Sequence, residues 1–175
     1  MKPTSFLRAA LLAGAAALLL SCAERPPLGP QADLLGLPPL PAPAPPPSGL
    51  LQCSPLAADS VTQTIGPAGG TIALSTDTLV IPAGALDSAV TITAVAPSDT
   101  VNRIQFQPQG LTFAQPASLT MSYANCNLLG WSLPKQIVYT TDLLVILETL
   151  QSVDNPPSQT VTGQLQHFSD YAIAW

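Results

Sequence analysis

The spacing of apolar and polar residues divides this chain into three parts. Residues 9–20 form an apolar run of 12 residues, and residues 23–60 contain 11 prolines. From residue 61 onward, short runs rich in Val, Ile, Thr and Leu alternate with Gly, Pro, Asn and Asp. The last texture is typical of strands joined by turns, so the folded domain is expected over residues 61–175.

Alternation with a period of two is clearest in residues 89–96, where Val90, Ile92 and Ala94 share one face and threonines occupy the other. Residues 143–150 could form a short helix by propensity, but their central β-branched residues and strand-like neighbours favour a strand. About eight or nine short strands without a long helical period predict an all-β fold, an antiparallel β-sandwich.

The first 21 residues have the pattern of an export signal. Lys2 and Arg8 precede the apolar run, which is shorter than the roughly 20 residues that a spanning helix needs. Leu19-Leu20-Ser21-Cys22 resembles the lipobox of bacterial lipoproteins. The resemblance implies cleavage before Cys22, acyl chains on its thiol and a place in the cell envelope, with Ala23 favouring the outer membrane. An ordinary secretory signal is the alternative.

Residues 22–60 are expected to form a tether, since proline fixes φ and lacks a backbone donor. The tether would lift the domain away from a membrane in which the acyl chains on Cys22 are inserted. A ligand for a proline-recognising groove is the alternative function for such a segment.

Three motifs of the domain resemble the ZU-five family, a β-sandwich found in zonula occludens proteins, netrin receptors, ankyrins and bacterial envelope proteins. They are Gly69-Gly70-Thr71 with residues 79–86 and 90–93, residues 108–120, and the closing His167-Phe168-Ser169-Asp170-Tyr171-Ala172. The resemblance covers residues 65–175 and implies a binding or assembly scaffold, although a fold does not assign an activity.

Charge excludes one class of partner. Removal of residues 1–21 leaves 154 residues with three Lys or Arg against ten Asp or Glu, a net charge of 3 − 10 = −7. Such a chain has no basic patch for nucleic acid. We therefore expect the membrane to be bound through the acyl chains rather than through surface charge.

Cys53 and Cys126 are the two cysteines besides Cys22. Export to an oxidising compartment favours a disulfide between them, and two free thiols are the alternative. The chain has a single histidine and no ligand cluster with zinc spacing, so neither a metal site nor a cofactor is expected.

One candidate for chemistry lies near the end of the chain. Phe168 is out of phase with the apolar residues on either side of it, which predicts a bulge or kink at His167-Phe168-Ser169. The ZU-five resemblance implies self-cleavage here, with Ser169 attacking the Phe168 carbonyl and His167 moving the proton. The alternative is structural: Phe168 fills the core, and His167 and Ser169 satisfy the kink.

The loop 125–134 is the candidate binding surface, because Leu128, Leu129 and Trp131 would be exposed there unless they cap the core. The leading hypothesis is a non-enzymatic, membrane-anchored lipoprotein that presents a β-sandwich to an envelope protein or a polysaccharide. A self-processing domain and a purely structural envelope protein are the alternatives.

Overall fold

All elements of secondary structure in the described residues are strands. The computed structural model describes residues 49–128 and 133–175, which belong to one unit, Pro45–Trp175. Eleven strands and no helix occur in these two ranges. In chain order the strands are β1 Asp59–Ile65, β2 Gly70–Leu74, β3 Asp77–Ile81, β4 Val90–Ala96, β5 Arg103–Gln107, β6 Thr112–Ser122, β7 Gln136–Thr140, β8 Ile146–Thr149, β9 Ser152–Asn155, β10 Thr160–His167 and β11 Asp170–Ala174.

The strands form two antiparallel sheets that pack against each other, which confirms the predicted β-sandwich. The six-stranded sheet has the order β1-β4-β5-β11-β7-β8, and the five-stranded sheet has the order β2-β3-β6-β10-β9. Both sheets contribute to the larger of two clusters of buried apolar residues: Ile92, Ile104 and Ile137 come from the first sheet, and Leu79 and Leu119 from the second. Burial of this apolar surface is the main source of stability for such a fold.

The alternation in β4 places its apolar residues in the core and its threonines on the outer face, as predicted. Ile92 and Ala94 are buried in the core, whereas Thr91 is exposed. On the outer face, the hydroxyls of Thr62 and Thr93 lie 2.9 Å apart, and those of Thr64 and Thr91 lie 3.0 Å apart. Cross-strand hydroxyl pairs of this kind fix the register of β1 against β4.

The number of strands is larger than predicted. β9 has four residues that alternate between half-buried and exposed, without the apolar stripe by which a strand is recognised in sequence. β6 begins at Thr112 and continues through Pro116, which would be expected to end a ladder. Residues 143–150 contain only the short strand β8, and Leu144 has a left-handed φ of 60°, which excludes a helix there.

The end of the predicted tether packs on the sandwich. Leu50 and Leu51 are buried, and the Leu51 amide donates to the Ile173 carbonyl at 2.9 Å. The expected disulfide between Cys53 and Cys126 is present. Since two consecutive leucines follow the last proline of the run, the chain has apolar side chains to bury before β1 begins.

Several predicted features lie outside the described residues. They are the signal 1–21, Cys22, the tether as far as residue 48, and Leu129 and Trp131. Within the described residues, no helix is long and apolar enough to cross a membrane.

Candidate functional site at the corner between β10 and β11

His167, Phe168 and Ser169 form the corner at which the chain leaves one sheet and enters the other. β10 belongs to the five-stranded sheet and β11 to the six-stranded sheet. The pairing of β10 with β6 shifts register between Leu165 and His167, close to where the kink was predicted. The break in apolar phase therefore marks a change of sheet.

Phe168 fills the core at this corner. Its side chain is 1% exposed and stacks on Phe106, with ring centroids 4.8 Å apart, while Phe113 meets it edge-on at 4.9 Å. The Phe168 amide donates to the Leu111 carbonyl at 2.8 Å, and the Phe168 carbonyl accepts from the Gly110 amide at 2.9 Å. Packing and backbone hydrogen bonds thus hold this residue from both sides.

His167 and Ser169 are placed differently from each other. The His167 ring is half-buried, meets Tyr139 edge-on with centroids 5.2 Å apart, and has Nδ1 3.4 Å from the Phe168 carbonyl oxygen. Ser169 is buried, and its carbonyl accepts from the Phe106 amide at 3.1 Å. Among the hydrogen bonds of the described residues, none joins the His167 ring to the Ser169 hydroxyl. The candidate base therefore faces the carbonyl oxygen rather than the candidate nucleophile.

A polar cavity of about 330 Å³ opens beside the corner, and Ser169 lines it. The other walls come from the β7–β8 hairpin and from Gln109 in the loop between β5 and β6. Four residues with hydroxyl groups line the cavity: Tyr139, Thr140, Thr141 and Ser169. Leu143 and Leu147 form an apolar side, and they are 86% and 52% exposed.

Two carboxyl groups belong to this region. Asp142 lines the cavity, and Asp170 lies behind it, buried, accepting hydrogen bonds from Gln105 at 3.1 Å and Gln109 at 3.5 Å. Burial raises the pKa of Asp170, and the neighbouring Asp142 carboxyl raises it further, while the Gln105 hydrogen bond and the Arg103 charge oppose the shift. Because the two carboxyl groups are close together, a further negative charge beside them would be unfavourable.

The predicted binding loop is only partly described. Leu128 is half-buried and packs against the core, which fits the alternative that this loop caps the sandwich. Leu133, on the other side of the gap, is 51% exposed. The binding-surface hypothesis for Leu128, Leu129 and Trp131 stays a prediction.

The cavity was not predicted from the sequence. Thr140, Thr141 and Asp142 have the pattern of a strand that ends in a turn, and Gln109 lies in a proline–glycine loop. Only the neighbouring Ser169 was singled out. No sequence signal distinguishes these residues, because what brings them together is the pairing of β11 with both β5 and β7.

Within the described residues, no group of three or more His, Cys, Asp or Glu side chains is placed to hold a metal ion. Searches against protein-family models and against curated proteins find no match for this chain. The ZU-five resemblance stays a prediction that rests on the motifs alone.

Proposed function

We propose that this protein is a membrane-anchored envelope lipoprotein whose β-sandwich acts as a binding module. The observation that carries the binding role is the polar cavity at the β10–β11 corner, since small ligands are held in concave sites where a few polar groups fix their orientation. Anchoring rests on Leu19-Leu20-Ser21-Cys22, and the Cys53–Cys126 disulfide fits an exported domain.

Anchoring through Cys22 is tested by metabolic labelling with an alkyne fatty acid. Two acyl chains bind a protein firmly to a bilayer, whereas one binds only marginally. We expect label and membrane association in the wild type, and loss of the label in Cys22→Ala. The double variant Cys53→Ala/Cys126→Ala is the control and should keep the label. An unlabelled wild type would contradict the lipoprotein assignment.

The binding role is tested with the unit 45–175, which retains the buried residues Leu50 and Leu51. Wild type and Asp142→Asn are immobilised and incubated with envelope extract, and retained protein and polysaccharide are analysed. Retention that depends on Asp142 supports the binding role. Equal retention by both forms would show that binding does not depend on Asp142, and no retention by either favours a purely structural role.

Self-processing between Phe168 and Ser169 is a second candidate function. The observation that favours it is the Phe168 carbonyl oxygen, which accepts from the Gly110 amide at 2.9 Å and lies 3.4 Å from His167 Nδ1. Those groups would stabilise negative charge on that oxygen during attack. The Ser169 hydroxyl would lose its proton to His167 and bond to the Phe168 carbonyl carbon. His167 would then give that proton to the Ser169 nitrogen as the C–N bond breaks, and water would hydrolyse the resulting ester.

Intact mass under denaturing conditions decides this second candidate. Cleavage would release a seven-residue peptide, Ser169 to Trp175, from the wild type and none from Ser169→Ala. A single full-length species in both samples would exclude self-processing and leave the binding role as the only proposal.

A further inference from the structure

The β7–β8 hairpin exposes three apolar side chains within five residues. Leu143 is 86% exposed, Val145 56% and Leu147 52%, and these three residues form what we call the apolar tip. Elsewhere in the described residues, large apolar side chains are exposed one to a segment: Leu56, Val80, Leu133 and Val153. Single exposed apolar residues are normal, whereas a group of them indicates a surface that a partner covers.

The apolar tip is exposed because its neighbours in sequence make the contacts with the sheet. The Leu144 amide donates to the Thr141 carbonyl at 2.8 Å, and the Thr141 amide donates to the Val145 carbonyl at 3.0 Å, which closes the turn. Leu144 and Ile146, which alternate with the tip residues, pack against the cluster that contains the buried Leu50. The fold therefore holds the three tip side chains away from its own apolar clusters.

The chain that leads to the proposed anchor enters the domain beside this hairpin. A Cβ atom on Gly49 would lie 3.0 Å from Cδ1 of Ile146, and Leu50 packs in the same cluster as Ile146. Between Gly49 and Cys22, the proposed acylation site, lie 26 residues, and a chain of that length spans at most about 90 Å. Acylation at Cys22 therefore keeps the hairpin near a bilayer, where a tethered site acts at a high effective concentration.

The charges of the hairpin limit which lipids it can contact. Residues 141–149 contain two acids, Asp142 and Glu148, and no Lys or Arg, so the hairpin has no group that attracts an anionic head group. The Asp142 carboxyl interacts with that of Asp170, and the Asp142 carbonyl accepts from Arg103 Nη1 at 3.4 Å, so its polar groups are engaged with the sheet. Glu148 lies in β8, away from the turn. The apolar tip therefore matches a lipid surface without net charge.

A protein partner, including a second copy of this chain, fits the apolar tip less well than a bilayer does. A stable protein–protein interface buries roughly 800 Å² on each partner, far more than three aliphatic side chains expose. The residues that dominate such interfaces are Trp, Tyr and Arg, and residues 141–149 contain none of them. A bilayer requires no complementary shape, and its affinity for a protein surface grows with the apolar area that is buried.

We propose that the apolar tip inserts into the surface of a bilayer of neutral lipid, as a second membrane contact besides the acyl chains on Cys22. The inference rests on the proposed anchoring at Cys22 and goes beyond it, because it gives the folded domain a membrane contact of its own. Leu143 and Leu147 also form the apolar side of the cavity at the β10–β11 corner. Insertion of the tip therefore brings that cavity to the head-group region of the bilayer.

Tryptophan fluorescence of the full chain, purified as the cell delivers it and reconstituted in phosphatidylcholine vesicles, tests the insertion. Leu143→Trp adds one tryptophan at the tip, and lipids brominated on their acyl chains quench tryptophans that lie within the bilayer. We expect these lipids to quench most of the emission that Leu143→Trp adds to that of Trp131 and Trp175. Val80→Trp is the matched control: Val80 is 44% exposed on β3 in the other sheet, and the emission added there should stay unquenched.

A second pair of variants separates insertion from folding. Val145→Thr/Leu147→Gln, made in the Leu143→Trp chain, should lower the ratio of inserted to free tip by at least about tenfold, because it removes apolar area that the bilayer buries. Its melting temperature should not change, since both side chains are exposed. Val80→Thr/Leu56→Gln makes the same two exchanges at exposed sites elsewhere and should leave the quenching unchanged. A merely structural role for the tip would change the melting temperature and not the quenching.

Flotation of the vesicles separates failure of insertion from failure of anchoring. If the wild-type chain does not float with the vesicles, the anchor at Cys22 is refuted and insertion of the tip falls with it. If the chain floats but Leu143→Trp is quenched no more than Val80→Trp, the tip does not insert and the anchor stands. A blue shift of the Leu143→Trp emission that grows with protein concentration and needs no lipid would assign the tip to a second copy of the chain, which also overturns the inference.

Discussion

Asp77 shows how one buried carboxyl group can make the stability of this domain depend on pH. It lies at the start of β3, is 8% exposed, and accepts from the Ser122 amide at 3.0 Å and the Thr76 hydroxyl at 3.3 Å. Burial raises its pKa to about 6, although both hydrogen bonds oppose the shift. The carboxyl thus connects the start of β3 to the end of β6 at the cost of being hard to ionise.

We predict that ionisation of Asp77 lowers the free energy of unfolding. The pKa is higher in the folded state than the ordinary 3.8, so the folded state binds the proton more tightly. The contribution is therefore complete below about pH 4 and is lost as the pH rises through about 6, by about 3 kcal/mol in total. Urea unfolding of wild type and Asp77→Asn at pH 4 and pH 7 measures it.

The expected result is that the difference in free energy of unfolding between Asp77→Asn and wild type changes with pH. Asp77→Asn should gain stability relative to wild type by about 2 kcal/mol between pH 4 and pH 7, because it has no proton to lose. Asp87→Asn, an exposed carboxyl exchanged in the same way, is the control for altered net charge. A difference that does not vary with pH would contradict the prediction.

Individual residues were predicted from sequence only where their type limits what they can do. Cysteines in an exported chain have few alternatives to a disulfide, and Cys53 and Cys126 are bonded. Asp77 and Thr140 have no such constraint: in sequence, each is a polar residue at one end of a strand. The raised pKa of Asp77 and the unpaired hydroxyl of Thr140 result from burial by residues of other strands. The pattern of residues within one strand does not show which residues will bury it.

At the scale of elements, β10 and β7 face each other from opposite sheets. Gly163 of β10 is buried, and a Cβ atom there would lie 3.1 Å from Cβ and 3.2 Å from Cδ1 of Ile137. Because Gly163 has no side chain, the branched side chain of Ile137 fits between the two sheets at this point. Neither strand would pack as closely with an ordinary residue at this position.

We predict that Gly163→Ala destabilises the domain by about 1 kcal/mol. Overpacking costs about 1–3 kcal/mol, and the smaller conformational entropy of the unfolded chain returns part of it. Gly66→Ala is the matched control, since the nearest side-chain atom to a Cβ there, that of Ala89, is 4.0 Å away. Chemical denaturation should show that the free energy of unfolding, relative to wild type, changes in opposite directions or by clearly different amounts in the two variants. Equal changes would show that the two sheets tolerate a methyl group at this contact.

Predictions of elements succeeded where one face is apolar and were least accurate at the edges formed by β8 and β9. β4 and β11 lie inside the six-stranded sheet and were predicted from their apolar residues. β9 lies at one edge of the five-stranded sheet and was not predicted, because its four residues alternate between half-buried and exposed without an apolar stripe. β8 lies at one edge of the six-stranded sheet and covers only four of the eight residues 143–150 that were predicted as one strand, and three of its four residues are exposed. A strand that buries few side chains depends on hydrogen bonds to the adjacent strand. The sequence of the edge strand does not show which strand that will be.

For the whole molecule, the β-sandwich was predictable and the order of strands in its sheets was not. Local patterns give the number and class of elements, whereas pairing depends on contacts between residues far apart in the chain. The break in apolar phase at Phe168 was the one local sign of topology, because it marks the passage from β10 to β11. The cavity depends on that passage and could not be predicted before the pairing was known.

We predict that loss of the disulfide lowers the stability of the whole domain. Cys53 and Cys126 are separated by 73 residues, and a cross-link over such a loop contributes about 4 kcal/mol by restricting the unfolded chain. Cys53→Ser/Cys126→Ser should therefore unfold at a lower urea concentration than wild type, and reduced wild type should match the variant. Cys22→Ser is the control and should unfold like wild type. Identical midpoints for all three forms would contradict the prediction.

The disulfide also decides how this domain would respond to force. The chain enters at Gly49, whose carbonyl accepts from the amide of Trp175 at 3.1 Å, and Cys53 lies only four residues further on. A load applied between these two ends passes from Cys53 directly to Cys126, so residues 54–125 are bypassed and carry no tension. Six of the strands, β1 to β6, lie wholly in that bypassed part. Force applied in this way can extend residues 127–175, whereas the strands between the two cysteines stay within a loop closed by the disulfide.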